Sequence, residues 1–268
     1  MMKLIRRNKI SCLEPGWGSS GGVVAGFTTR NGGVSRPPYN SLNLAFNTDD
    51  LSAHVEGNRA TVSRTFGLPP HLLLTVKQVH GNDLLLVDAP NLDLAHFSQV
   101  ESDAIITNQP GIMIGVLVAD CFPVLIYDAE HHVVAAVHAG WRGAASGIIG
   151  KTVTAMRQHF GSQPKTLQAA IGPGIGAHRY EVDRPVRDAF RTGSGHWDAI
   201  AEETRLGHWK LDLRESCRLQ LLDAGLLPGS VEAAEECTCC HRELFFSYRR
   251  DEGQTGRQLG FIGLIENG

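Results

Sequence analysis

Neither sign of charge is in surplus: the 268 residues carry 25 Lys and Arg against 28 Asp and Glu, a formal net charge of −3. Binding driven by phosphate contacts needs a basic face, so a nucleic-acid partner is not expected. Long apolar runs are missing as well. A membrane-spanning helix takes about 18 or more such residues, and the best stretch, Ile112 to Tyr127, is broken by Asp120 and Pro123. A membrane partner is therefore not expected either. The chain has no Pro/Gly/Ser-rich linker, no charge block and no internal repeat, which leaves one domain spanning residues 1–268 as the expectation. Its first residues include basic side chains but no apolar segment behind them, so a secretory signal is not expected and the cytoplasm is. Thiols stay reduced there, and the 6 Cys and 12 His are read as candidates for metal ligation, catalysis or core packing rather than disulfides.

What is present describes an ordinary globular chain, 42% hydrophobic and 20% charged, long enough to bury roughly three quarters of its unfolded surface. Gly22 to Thr28 and Leu84 to Val87 read as strands, and SRPPYNSLN as a surface loop. Val55, Arg59, Val62 and Phe66 recur at helical spacing, predicting a helix over Ser52 to Phe66 that Gly67 ends. Three apolar runs, Ile112–Ala119, Pro123–Tyr127 and Val133–Ala139, have the length of buried strands. The connection between the last two is too short for a parallel crossover, so they should form an antiparallel hairpin. Helices are expected over Ala144–Phe160 and Leu213–Ala224, and a final strand pair from LFFSYRR and QLGFIGLI around the DEGQTG turn. The fold class is α+β, or mixed α/β.

Three residues carry the strongest chemical signal: His80 in VKQVHGN, Cys121 in VADCFP and His138 in AVHAGWRG. Each stands where an apolar run gives way to Gly or a polar break, the place where a rigid scaffold presents reactive groups. Their separations of 41 and 17 positions match no local metal motif. If they converge, two imidazoles and a thiolate make a three-ligand zinc set with an open fourth position, the arrangement of a catalytic site. The plainer alternative is a buried hydrophobic Cys121 with histidines satisfied at the strand edges. Asp120, a carboxylate in an apolar run, is costly unless paired and is a candidate to orient a metal-bound imidazole. A rival chemistry makes Cys121 a nucleophile and His138 its base, leaving His80 over.

Anion contacts have several candidates. Arg142 follows the strand run of AVHAGWRG, at a helix start where backbone N–H groups favour anions. A Gly-permitted turn with a solvated Arg is the plainer account of Arg142. Arg30 in FTTRNGG and Arg249, Arg250 and Arg257 in FFSYRRDEGQTGR flank glycines and suit phosphate, although a charged hairpin tip explains the second stretch equally well. IGPGIG lacks the strand–GxGxxG–helix context of a dinucleotide site and reads as a loop. Cys237, Cys239, Cys240 and His241 do not read as a structural metal site, because four ligands within five residues cannot easily wrap one tetrahedral ion. His71, His96, His178 and the His131–His132 turn read as surface groups.

In chain order, KQVHG, SDAIIT, ADCFPVL, AVHAGWRG, IGPGIG with YEV, CT, and FFSYRRD with TGR resemble the YfiH, or laccase-domain, family, from about Phe27 to Ile265. The resemblance implies a layered α/β/β/α sandwich. It also implies a metal site, usually zinc and in some members copper, whose ligands match His80, Cys121 and His138. The implied activity is a purine nucleoside phosphorylase, in which adenosine, inosine, guanosine or methylthioadenosine and phosphate give base and ribose-1-phosphate. Adenosine deamination accompanies it. Arg30 and Asn43 match substrate-pocket positions, and Arg142 and Arg249 join them as substrate-binding candidates. Other members are described as copper polyphenol oxidases, or as peptidoglycan editing factors that hydrolyse muropeptide precursors. Cys239, Cys240 and His241 depart from the commoner sequence after CT and take no family role. Multicopper oxidation calls for paired H-x-H ligands, which this chain lacks, whereas one open zinc site suits water activation, hence hydrolysis or deamination. Phosphorolysis asks instead for a phosphate pocket, which Arg30, Arg142 and Arg249 would form near the metal. A monomer or small homo-oligomer is expected.

Overall fold

The computed structural model of the protein describes residues 2–19, 22–89, 97–194 and 196–265; His96 lies outside them. In chain order the strands are β1 (Lys3–Arg7), β2 (Ile10–Glu14), β3 (Val23–Thr28), β4 (Leu73–Leu74), β5 (Leu84–Val87), β6 (Ala104–Thr107), β7 (Met113–Val118), β8 (Phe122–Asp128), β9 (Val133–Ala139), β10 (Gln168–Ile171), β11 (Glu181–Asp183), β12 (Ala201–Arg205), β13 (His208–Leu211), β14 (Val231–Ala233) and β15 (Gln258–Leu264). The helices are α1 (Ser52–Thr65), α2 (Trp141–Ala145), α3 (Ile148–Phe160), α4 (Arg184–Thr192), α5 (Trp197–Ile200) and α6 (Leu213–Asp223).

Two six-stranded sheets carry the fold, one ordered β1-β2-β3-β15-β7-β4 and the other β14-β10-β8-β9-β6-β5. A strand buried on both faces reads as a continuous apolar run, and its alternate side chains must enter different cores. Along β8, Leu125 and Tyr127 pack between the two sheets, while Val124 and Ile126 face the helices α2, α3 and α6. On the other sheet, Ala25 and Phe27 of β3 enter the shared core, whereas Val24 packs with Val62 and Phe66 at α1. The order is α1, sheet, sheet, helices: the layered α/β/β/α sandwich. No helix among the described residues is long and apolar enough to cross a membrane.

The expected hairpin is present, β8 and β9 pairing antiparallel from Phe122 opposite Ala139 to Asp128 opposite Val133. Two expectations need correction. The helix over 144–160 is two helices, α2 and α3, separated at Gly147, whose φ of 73° lies in the left-handed region that interrupts a right-handed helix. LFFSYRR is not a strand, and β15 pairs with β3 and β7 instead. Phe245 and Phe246 are fully buried, and the Phe246 backbone is satisfied by the Gln258 side chain, which accepts from its N–H at 2.9 Å and donates to its carbonyl at 3.1 Å. A side chain that substitutes for a ladder removes the need for a second strand.

Between β7 and β8 the chain leaves one sheet for the other. Ala119, Asp120 and Cys121 make that crossing, with Asp120 at φ 89°. This joint positions the site.

Candidate active site

Cys121 stands at the joint, His138 near the end of β9, and His80 in the loop following β4, at φ 60°. The structure brings these three together. Their donor atoms lie within 4.8 Å of one another, and the two imidazole rings meet edge to face with centroids 4.7 Å apart.

One carboxylate organises the group, and it is Asp103, directly ahead of β6. Its Oδ2 accepts the backbone N–H of Val79 at 3.1 Å and of Gly81 at 2.7 Å, and its Oδ1 that of His80 at 3.0 Å. Oδ1 also meets His138 Nδ1 at 2.7 Å, which leaves Nε2 as that ring's nitrogen for the Cys121 thiol or for an ion. Asp103 is fully buried and its contact with His138 lies away from water, while the three backbone donors sit in a partly buried loop. Burial alone would raise its carboxyl pKa, but the bond and charge of His138 and the backbone donors hold it below the ordinary carboxylate range. SDAIIT carried the signal that would have found it, an acid directly ahead of a buried apolar strand, the same signal that drew attention to Asp120. Asp120 is placed differently: its carboxylate accepts the Thr238 hydroxyl at 2.6 Å and the Arg249 backbone N–H at 2.7 Å, tying the joint to the C-terminal loop.

Burial opposes ionisation of the Cys121 thiol, yet the charge of His138 and hydrogen bonds from both imidazoles bring its pKa down to about 6. His138 moves the other way, up to about 9, because the Cys121 thiolate and Asp103 outweigh its burial. The chemistry of this donor set suits a soft divalent ion: a thiol poised to lose its proton, an imidazole fixed by a carboxylate, and a second imidazole beside them. Gly140 leaves the space that such a group needs. A Cβ there would stand 3.0 Å from His80 Cδ2 and 3.2 Å from Cys121 Sγ.

The three residues line a cavity of about 960 Å³, within the range of small-molecule sites. Of the anion-binding candidates, Arg249 lines it and stacks over Tyr180 at 5.3 Å. Burial and the neighbouring Cys121 thiolate push the Tyr180 phenol up, keeping it a neutral donor. Arg257, from the same C-terminal stretch, also lines the cavity. The other candidates are not among the lining residues. Arg30 donates to the Asn40 carbonyl at 2.8 Å and lies over the Phe246 ring. Asn43 is fully buried; its amide donates to Thr48 and Asp50 and its carbonyl accepts the Arg257 backbone N–H at 3.0 Å. Arg142 is exposed and stacks on Trp141.

A protein-family model described as multi-copper polyphenol oxidoreductase laccase matches residues 24–265. The purine nucleoside phosphorylase YlmD of Bacillus subtilis is 36% identical over 248 residues, covering 91% of this chain and 89% of its own. The purine nucleoside phosphorylase YfiH of Escherichia coli is 38% identical over 257 residues, covering 94% of this chain and 98% of its own. Among solved structures, the hypothetical protein YfiH of Bacillus licheniformis superposes with a TM-score of 0.91 at 35% identity, covering 98% of each chain.

Proposed function

The chain belongs to the laccase-domain family described as multi-copper polyphenol oxidoreductase laccase, and from that premise we propose that it is a metal-dependent purine nucleoside phosphorylase. Its substrates are adenosine, inosine, guanosine or methylthioadenosine together with phosphate, and it also deaminates adenosine. The carrying observation is the convergence of His80, Cys121 and His138 on one wall of a cavity that Arg249 and Arg257 also line. The names of the B. subtilis and E. coli relatives support the same reaction.

In phosphorolysis a phosphate oxygen bonds to ribose C1′ as the bond from C1′ to the base nitrogen breaks; the base leaves with that electron pair and takes up a proton. Arg249 and Arg257 hold the phosphate through charge-assisted hydrogen bonds. Phe46 and Tyr248, each more than half exposed and both lining the cavity, offer faces on which a purine stacks. His80, Cys121 and His138 hold the metal, zinc in preference to copper, and the chemistry it supplies when bound is Lewis-acid polarisation and, for deamination, water activation. Asp103 keeps His138 in the tautomer that leaves Nε2 free to ligate.

The lowered Cys121 thiol paired with the raised His138 favours a second reading, a muropeptide amidase with Cys121 as nucleophile and His138 as base. Copper polyphenol oxidation is the third and is disfavoured, since the chain has no H-x-H pair.

Incubating the zinc-loaded protein with adenosine, with and without phosphate, tests the proposal. Phosphate-dependent release of adenine and ribose-1-phosphate supports phosphorolysis, and inosine formed without phosphate supports deamination. No turnover of any of the four nucleosides overturns the reading. Zinc analysis of Cys121→Ala separates ligand from nucleophile, because equal zinc in variant and wild type removes Cys121 from the metal.

A further inference from the structure

A second set of soft donors lies outside the cavity wall just described. His178, Cys237 and Cys240 bring one ligand atom each to within 4.8 Å of the others. Cys237 and Cys240 have C-x₂-C spacing, the spacing of zinc-binding pairs. The third donor comes from 62 residues before Cys240, in the loop that follows β10, where His178 Nε2 lies 3.2 Å from Cys240 Sγ. The objection that four neighbouring ligands cannot wrap one ion therefore does not apply, because Cys239 and His241 are not needed.

The surroundings are built for this group. The Gly176 backbone N–H donates to Cys237 Sγ at 3.1 Å, and the backbone N–H groups of Cys240 and His241 donate to the Cys237 carbonyl at 3.1 and 3.0 Å, closing a turn around the pair. A Cβ at Gly176 would stand 2.7 Å from His178 Cε1 and 3.0 Å from Nδ1, so a side chain here would push the ring from its place beside the thiols. Zinc bonds of about 2.0–2.3 Å in a tetrahedron put donor atoms about 3.5–3.8 Å apart. The 3.2 Å between His178 Nε2 and Cys240 Sγ is a few tenths of an ångström inside that span, and no pair of the three donor atoms is more than 4.8 Å apart. Cys237 is buried while His178 and Cys240 are exposed, so the group has a protein side and a solvent side. Hydrogen bonds from His178 and then Arg179 bring the Cys240 thiol down to about 7, and the Arg179 cation balances one thiolate charge.

We propose that His178, Cys237 and Cys240 form a second metal site, specific for a soft divalent ion such as zinc, with water in the fourth position. Binding releases the two thiol protons and fixes the segment around Thr238. That residue's hydroxyl donates to Asp120 at 2.6 Å and its carbonyl accepts from Arg250 at 2.8 Å, so the ion braces the loop that holds the joint beside Cys121.

The test counts metal and does not depend on nucleoside turnover. Full-length protein, stripped by chelator under reducing conditions, is loaded with zinc, dialysed and analysed for zinc per chain. Two equivalents are expected for wild type, one for Cys240→Ser or His178→Gln, and one for Cys121→Ala, which keeps only the new site. Loading Cys121→Ala with Co²⁺ should give a sulfur-to-cobalt absorption band that the added Cys240→Ser change abolishes. One equivalent in wild type that Cys121→Ala abolishes, or unchanged zinc in both Cys240→Ser and His178→Gln, overturns the proposal; one equivalent that Cys240→Ser abolishes upholds it and counts instead against a metal at Cys121. A Cys237–Cys240 disulfide in protein purified without reductant, with no second equivalent after reduction, overturns it as well and marks the pair as a redox dithiol.

Discussion

Replacing Asp103 by Asn tests the organisation of the candidate site most directly, because the change keeps size and shape while altering which atoms can accept. The carboxylate accepts three backbone N–H groups and holds His138 Nδ1. An Asn has one oxygen for two of these four contacts. With its NH₂ on the Oδ2 side, it orphans the N–H groups of both Val79 and Gly81. On the Oδ1 side, it orphans only that of His80, provided His138 accepts at Nδ1 and moves its proton to Nε2. A buried unsatisfied donor costs about 1–3 kcal/mol, so the second arrangement wins by roughly that amount. The variant should then lose about 1–3 kcal/mol of stability, a fall of roughly 2–12 °C in Tm for a chain of this size. The proton on Nε2 removes the lone pair that a metal needs, and loss of such a partner typically weakens metal binding 10- to 100-fold. Thermal melting of the metal-free protein reads the first effect and zinc competition against a chromophoric chelator the second. An Asp103→Asn protein that melts as wild type and binds zinc within about twofold refutes this account of Asp103.

Other perturbations address separate parts of the structure. Gly140 has φ −76° and ψ 166°, which Ala adopts freely, so Gly140→Ala should crowd only the His80 ring and the Cys121 sulfur and weaken zinc binding tenfold or so while the metal-free Tm stays near wild type; a large loss of Tm in the apo form counts against it. Arg249→Ala keeps the backbone N–H that donates to Asp120, so about a tenfold or greater rise in the phosphate KM is expected with little loss of stability. An unchanged phosphate KM removes Arg249 from the phosphate site. Gly172→Ala would drive a Cβ to 2.3 Å from the fully buried Phe27 ring, and a destabilisation of about 1–3 kcal/mol or more should appear in urea melts. Burial would raise the Asp50 carboxyl, but bonds from Ser35, Asn43, the Leu51 N–H and His54 lower it overall. Its contribution is therefore present above the unfolded carboxyl value near about 4 and is lost as pH falls through the lower folded value. Wild-type Tm should drop more steeply than that of Asp50→Asn between about pH 5 and 3, and parallel curves would refute the assignment.

Much of the scaffold was legible because burial on both faces leaves a mark in the chain itself. β8 and β9 are continuous apolar runs joined by a short polar turn, and only an antiparallel pair fits that length. The Phe245–Phe246 run has the same composition, yet its backbone is held by Gln258, a residue twelve positions away whose role no local pattern announces. The break at Gly147 was similarly hidden, since an isolated glycine in a helical pattern does not declare its φ.

The sequence by itself determined the fold class, the strand hairpin at its centre and the residue types of His80, Cys121 and His138 at the ends of apolar runs, because periodicity and punctuation are local properties. Only the tertiary structure decided how those three meet, that Asp103 rather than Asp120 holds the imidazole, and that Arg249 and Arg257 reach the cavity while Arg30, Asn43 and Arg142 engage the chain's own backbone and rings. Only it joined His178 to Cys237 and Cys240. A donor's identity is written in one position of the chain. Its partners are set by the crossing of two sheets and the packing of loops far apart in sequence, and no spacing within the chain encodes that distance.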